Sequence, residues 1–116
     1  RGGQESRRQV KSYQVRFSDE ALADLGHIFA DLLPVAGERI ARDFVGRLET
    51  ACLKLREFPE RGSLRSNVRP GLRLIGYRHQ ASIAFVVTEA EVLILRVFRR
   101  GANTEALLVP DDEFEL

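Results

Sequence analysis

Residues 72–98 read LRLIGYRHQASIAFVVTEAEVLILRVF. Apolar runs at Leu72–Tyr77, Ala81–Thr88 and Glu91–Phe98 are separated only by Arg78–Gln80 and Glu89–Ala90. Links that short join antiparallel neighbours, whereas parallel strands need a long crossover. The stretch therefore predicts three strands in an antiparallel meander.

Upstream, Glu60–Gly71 (ERGSLRSNVRPG) is a loop rich in Gly, Ser, Asn, Pro and Arg. Before it, a helix is expected from about Ala36 to Phe58, with Pro59 as its stop. Ile40, Phe44, Leu48, Ala51 and Leu55 recur at helical spacing and form its apolar stripe. Arg39, Arg42, Asp43, Arg47 and Glu49 form its solvated face. An earlier helix starts at Ser18, a good N-cap, with Asp19 and Glu20 in its first turn. Leu22, Leu25, Ile28, Phe29 and Leu32 follow at helical spacing, and Pro34 is expected to close the helix from outside. Tyr13–Phe17 alternates as a short strand. The order is β-α-α-β-β-β: an α+β fold with an N-terminal strand and a helical hairpin packed on a mostly antiparallel sheet.

One hairpin covers one sheet face, yet both faces are apolar. Ile83, Phe85 and Val87 oppose Ala84 and Val86; Leu93, Leu95 and Val97 oppose Val92, Ile94 and Phe98. Either residues 1–12 or 105–110 fold over the second face, or it is an exposed strip awaiting a partner.

At 116 residues and 44% apolar content the chain is one domain with a sizeable core. The expected divisions are an N-terminal extension at 1–12, the domain at 13–109, and an acidic tail at 110–116 whose EFEL end reads as cloning-derived. The single cysteine, Cys52, excludes a disulfide framework and is expected in the core. A reducing, cytoplasmic setting fits. No apolar run approaches a membrane span, and RGGQESRRQVKS lacks the apolar core of a secretory signal.

Net charge is +1, but residues 1–16 carry +4, residues 17–60 carry −4, residues 61–104 carry +6 and residues 105–116 carry −5. The chemistry-bearing residues are few. No glycine loop follows a strand to cradle phosphate, and no spacing suits a metal. His27 and His79 stand alone, and Ser18 and Ser63 have no partner base nearby in sequence. What remains is arginine: Arg61, Arg65, Arg69, Arg73, Arg78, Arg96, Arg99 and Arg100. The strand at Leu72–Tyr77 and the end of the last strand are expected to lie close and form one outward patch, with Tyr77 and His79 near its turn. Such a patch binds acidic protein or phosphate. The plainer reading is solvated charge, or pairing with Asp111 and Asp112 of the tail.

Three segments carry a family resemblance: LREFPERG at 55–62, RPGLRLIGYRHQASIAFVV at 69–87 and LILRVFRRGANTEALL at 93–108. With the strand and hairpin before them, Tyr13–Leu108 resembles the ParE branch of the RelE/ParE toxin superfamily. The resemblance implies a bacterial toxin without cofactor or metal, neutralised by a ParD-like antitoxin whose C-terminal segment wraps it in a hetero-oligomer. It implies binding to DNA gyrase rather than catalysis, with no direct DNA binding and no membrane. The implied target surface is Arg96, Arg99, Arg100, Asn103, Arg69 and Arg73. The implied antitoxin surface is Leu22, Phe29, Phe44, Ile83, Phe85, Leu93 and Leu95. RelE-like relatives instead cut messenger RNA on the ribosome; in that alternative Tyr77, His79, Arg73 and Arg78 are the candidates. The segment after the last strand offers no Tyr, His or Lys for proton transfer. Arg99 stands where ParE-like members often carry His.

Overall fold

The computed structural model describes residues 12–100. Its elements are β1 (Gln14–Phe17), α1 (Asp19–Ala36), α2 (Glu38–Leu53), a 3₁₀ turn (Lys54–Arg56), β2 (Ser63–Leu64), β3 (Arg73–Tyr77), β4 (Ala81–Val87) and β5 (Glu91–Arg99). The sheet order is β1-β5-β4-β3-β2. β1 runs parallel to β5, and the other pairings are antiparallel. This is the expected α+β architecture, with β2 as a two-residue edge strand that the sequence did not announce. The expectations for the N-terminal extension (Ser12 apart) and the acidic tail lie outside the described residues.

Ser18 caps α1 as its sequence suggests: its hydroxyl accepts from Ala21 N at 3.0 Å and donates to the Leu95 carbonyl at 2.8 Å. The cap thus also pins the helix to β5. Pro34 does not close α1 from outside; the helix runs through it to Ala36. Proline's missing N–H forfeits one bond, to the Ala30 carbonyl, two residues before the helix ends, and the next turn still closes. Gly37 is the stop. Its φ of 91° breaks the helix, its N–H donates to Leu33 O at 3.0 Å, and α2 begins at the next residue.

α2 is shorter than expected and gives way to the 3₁₀ turn. Its buried residues are Ala41, Leu48 and Cys52, with Leu55 just beyond. Ile40, expected on the buried stripe, is 48% exposed at the rim. The core lies between the hairpin and the sheet. Ala21, Leu25 and Ile28 of α1 and Leu48 and Cys52 of α2 meet Ile83 and Phe85 of β4 and Val92, Ile94 and Val97 of β5.

Val97 belongs to that set because β5 is irregular. Ala84 pairs with Arg96 but Phe85 pairs with Ile94, so Leu95 is an extra residue. Such a bulge shifts the alternation by one. Val92, Ile94 and Val97 face the hairpin, whereas strict alternation had put Val97 with Leu93 and Leu95.

The second face has its own small core of Leu72, Ala84, Leu95 and Phe98, flanked by Val68, Leu74, Val86 and Leu93. Residues 1–11, the first expected cover, lie outside the described residues. The 65–71 loop brings Val68 and Leu72 across this face, held by Arg65 N to Leu72 O at 2.7 Å and Leu72 N to Arg69 O at 3.0 Å. Residues 105–110 lie outside the described residues. Gly62 lets the chain reach β3: its φ is +74°, and a Cβ there would run into the Leu74 carbonyl.

Candidate target-binding surface

The β3–β4 turn and the end of β5 form one rim of the sheet. Gln80 N donates to Tyr77 O at 2.8 Å. The two central residues, Arg78 and His79, have φ of 51° and 59°. This is a type I′ hairpin turn, whose positive φ angles normally call for Asn and Gly. Arg99 pairs with Ala81, and Arg100 N donates to Gln80 O at 2.9 Å. Beside this rim, Leu32, Ile40 and Phe44 of the hairpin and Gln80, Arg99 and Arg100 line a groove of about 330 Å³. It couples an apolar wall to two guanidinium groups on a rigid strand end.

Arg96 does not join them. It reaches Asp24 of α1 with both ends of its fork, Nε to Oδ2 at 2.8 Å and Nη2 to Oδ1 at 2.9 Å. Its guanidinium also lies over the Phe98 ring at 5.2 Å. The hydrogen bond to Asp24 holds the Arg96 pKa above its ordinary value, against the opposing effect of burial. Asp24 also accepts from Val97 N at 2.8 Å. This arginine therefore ties α1 to the bulge rather than pointing outward. Arg99 is looser, 3.8 Å from Asp31, with both side chains well exposed. Arg100 is exposed and has no ion-pair partner among the described residues.

Arg69 and Arg73 lie at the other end of the sheet, so the single patch expected from the sequence does not form. Arg73 pairs with Phe85, which pairs with Ile94, while Tyr77 pairs with Ala81, which pairs with Arg99. Four residues along a strand and two strands across separate Arg73 from Arg99 by roughly 16 Å. Arg73 Nη1 donates to Arg61 O at 3.3 Å, and Arg69 is exposed on the loop. Asn103 lies outside the described residues.

Tyr77, Arg78 and His79 share the turn region. Tyr77 is half-buried, edge-on to Phe44 at 6.4 Å and covered by the Arg78 guanidinium at 5.5 Å. His79 is exposed. Arg73, the fourth residue of the RNase alternative, sits at the far end of β3.

The expected antitoxin-facing residues divide. Ile83 and Phe85, 1% and 0% exposed, are sealed in the core and can touch no partner. Leu95 is buried and Leu93 half-buried in the second-face cluster. Leu22 (54% exposed) and Phe29 are accessible. With Leu25, Gly26, Arg42 and Val45 they line a groove of about 530 Å³ along the hairpin. Phe44 lines the rim groove. Of the exposed large apolar residues, Leu33, Val35, Ile40 and Phe58 belong to the hairpin and the loop after it, and Leu64 to the edge strand β2. His27 is exposed on α1. Cys52 is buried, and desolvation pushes its thiol up to about 12. Among the described residues no cluster suits a metal and no helix is long and apolar enough to cross a membrane.

Sequence reasoning missed Asp24, Asp31 and Gln80. A signal existed for Asp24, which sits among Ala21, Leu25 and Ile28 on the buried stripe of α1. An acid on a buried stripe needs a cationic partner.

Residues 15–103 match the family described as the ParE toxin of the type II toxin–antitoxin system, parDE. Toxin ParE3 of Caulobacter vibrioides is 31% identical over 85 residues, spanning 73% of this chain and 84% of that protein. The chain belongs to the ParE toxin family. Among solved structures, the chromosomal ParDE system from P. aeruginosa aligns with TM-score 0.67 and 25% identity, covering 78% of this chain and 98% of that one. The RelBE2 toxin–antitoxin complex from Mycobacterium tuberculosis aligns with TM-score 0.54 and 25% identity, covering 81% and 98%. The chain thus shares its scaffold with solved structures of both a ParDE and a RelBE2 system.

Proposed function

We propose that this ParE-family chain is the toxin of a type II pair that acts in the cytoplasm by binding DNA gyrase. A ParD-like antitoxin neutralises it by laying an apolar segment along the hairpin groove at Leu22 and Phe29. The observation that carries the target reading is the rim groove. Arg99 and Arg100 stand on a strand end, so little side-chain support is lost on binding. Leu32, Ile40 and Phe44 beside them supply apolar contact. Arginine and aromatic groups together favour a protein partner. Arginine cannot deprotonate, so this pair offers no general base.

The test is a supercoiling assay with purified gyrase and the Arg99→Ala, Arg100→Ala double variant. The parent inhibits supercoiling and the double variant does not, at an unchanged melting temperature. Equal inhibition by both would remove these arginines from the target surface.

The second reading is a ribosome-dependent messenger-RNA endonuclease. Tyr77, Arg78 and His79 gathered on one turn favour it, as does the likeness to the RelBE2 structure. Cleavage of ribosome-bound messenger RNA, lost in Tyr77→Phe or His79→Ala, with gyrase unaffected, would establish it instead.

A further inference from the structure

A third groove, of about 570 Å³, runs between α2 and the β3–β4 turn. Its lining includes Arg42, Arg47, Lys54 and Arg78, with Asp43 as its one acid. Arg47 and Lys54 have no ion-pair partner among the described residues. Arg42 is shared with Glu38 and lies over the Phe29 ring. Asp43 leans toward Arg39 at 3.8 Å, which diverts its charge from the groove. Like charges gathered without counter-charge repel one another, so a partner that brings negative charge relieves a cost already present.

Two further features point to an occupant. Arg78 and His79 hold left-handed backbone conformations at a turn that Asn and Gly would make without strain. Strain of that kind is retained where the side chains are used. Gly46 lies in the groove wall inside α2, and a Cβ there would meet nothing within 4 Å. A mid-helix glycine is unfavourable. With no packing need for it among the described residues, its effect is to keep the groove floor low.

We propose that this groove docks an extended acidic peptide, held by Arg42, Arg47, Lys54 and Arg78. The site is separate from the gyrase reading and does not depend on it. Arg42, Arg47 and Lys54 stand about 7.5 Å and about 10.5 Å apart along the helix axis. Carboxylates on alternate residues of an extended strand recur every ~6.6 Å, within reach of these long side chains. Arginine forks suit carboxylates. Single-stranded nucleic acid is disfavoured because its bases would find no open aromatic ring to stack on and add affinity to the phosphate contacts. The ring in this groove, Tyr77, is already taken by Phe44 and Arg78.

The probe is a fluorescein-labelled ten-residue peptide with glutamate at alternate positions, titrated with the full chain by anisotropy. A glutamine-for-glutamate peptide and a ten-nucleotide single strand are measured alongside at the same salt. The glutamate peptide binds most tightly. Arg47→Glu with Lys54→Glu weakens it by at least about tenfold while the melting temperature holds, because both side chains are exposed. Arg56→Glu with Arg61→Glu, the same charge change elsewhere, leaves it within about twofold. Arg78→Asn with His79→Gly raises the melting temperature and weakens the peptide. If the groove reversal misfolds, Arg47→Gln with Lys54→Gln replaces it. The proposal is overturned if the glutamine peptide or the oligonucleotide binds as tightly. It is also overturned if the control reversal weakens the peptide as much, or if the groove or turn variants leave its affinity unchanged.

Discussion

Replacing Asp24 by alanine removes three acceptor contacts at once: Arg96 Nε at 2.8 Å, Arg96 Nη2 at 2.9 Å and Val97 N at 2.8 Å. The Val97 N–H lies where β5 continues past the end of β1, so no strand can replace the lost acceptor. A buried orphaned donor costs about 1–3 kcal/mol. The Arg96 side chain is 26% exposed. Water therefore recovers part of its loss, leaving about 1–2 kcal/mol for the broken pair. Together the change costs about 3 kcal/mol. For a domain of this size each kcal/mol moves the midpoint by about 4–8 °C, so the melting temperature falls by roughly 12–24 °C. Asp24→Asn keeps one oxygen as an acceptor and loses the charge, and so costs about 1 kcal/mol. Calorimetry or thermal circular dichroism on the two variants checks the ranking. An Asp24→Ala loss below about 1 kcal/mol, the scale of an exposed pair, would refute the view that this carboxylate seals the β5 edge.

Gly62→Ala meets both a positive φ and the Leu74 carbonyl; it costs at least about 1–2 kcal/mol, and an unchanged melting temperature would contradict this. Phe85→Ala empties the core and costs about 3–5 kcal/mol. Leu22→Glu, on an exposed site, moves stability by less than about 0.5 kcal/mol yet weakens antitoxin binding in titration calorimetry; undiminished binding removes the hairpin groove from the antitoxin surface. Burial raises the Cys52 thiol from 9.0 to about 12, so its contribution is complete below pH 9.0 and is lost as pH rises toward 12. Urea midpoints measured across that window fall more steeply for the parent than for Cys52→Ala, and parallel slopes would show that the thiol is not the cause.

The meander was legible because its links are too short for anything but antiparallel neighbours. The start of α1 was legible because Ser18, Asp19 and Glu20 say the same thing locally. The bulge at Leu95 was not. A one-residue slip shows in a sequence only when one face is polar, and here both faces of β5 are apolar, so Val97 was placed on the wrong one. Glu60–Gly71 read only as a loop rich in Gly, Ser, Asn, Pro and Arg; among the described residues, Val68 within it and Leu72 beside it carry the apolar cover of the second face. Arg96 was misjudged because its acid lies 72 residues earlier in the chain, beyond any local pattern. Ile83 and Phe85 were offered to a partner from their apolarity alone, which cannot separate an inner face from an outer one.

Asp24 and Asp31 explain why two of the three arginines at the end of β5 behave differently from the third. They are seven residues apart on α1, two helical turns on one face, a rise of about 10.5 Å. Arg96 and Arg99 are three residues apart on a strand, about 10 Å. Three residues is an odd step, so the two side chains leave opposite faces of β5, and each acid of α1 still meets one of them. Depth then separates the two pairs. Asp24 is 9% exposed, so its pair is short and bidentate, and it is spent on holding α1 to the bulge. Asp31 lies in the open and stands 3.8 Å from Arg99, a contact that contributes about 0–1 kcal/mol and is readily exchanged for a better one. Arg100, one residue further, has passed the reach of the ladder. The two acids of α1 therefore fix the strand end at Arg96 and leave Arg99, held only by its exposed pair with Asp31, and Arg100 as the cations open to exchange with a partner.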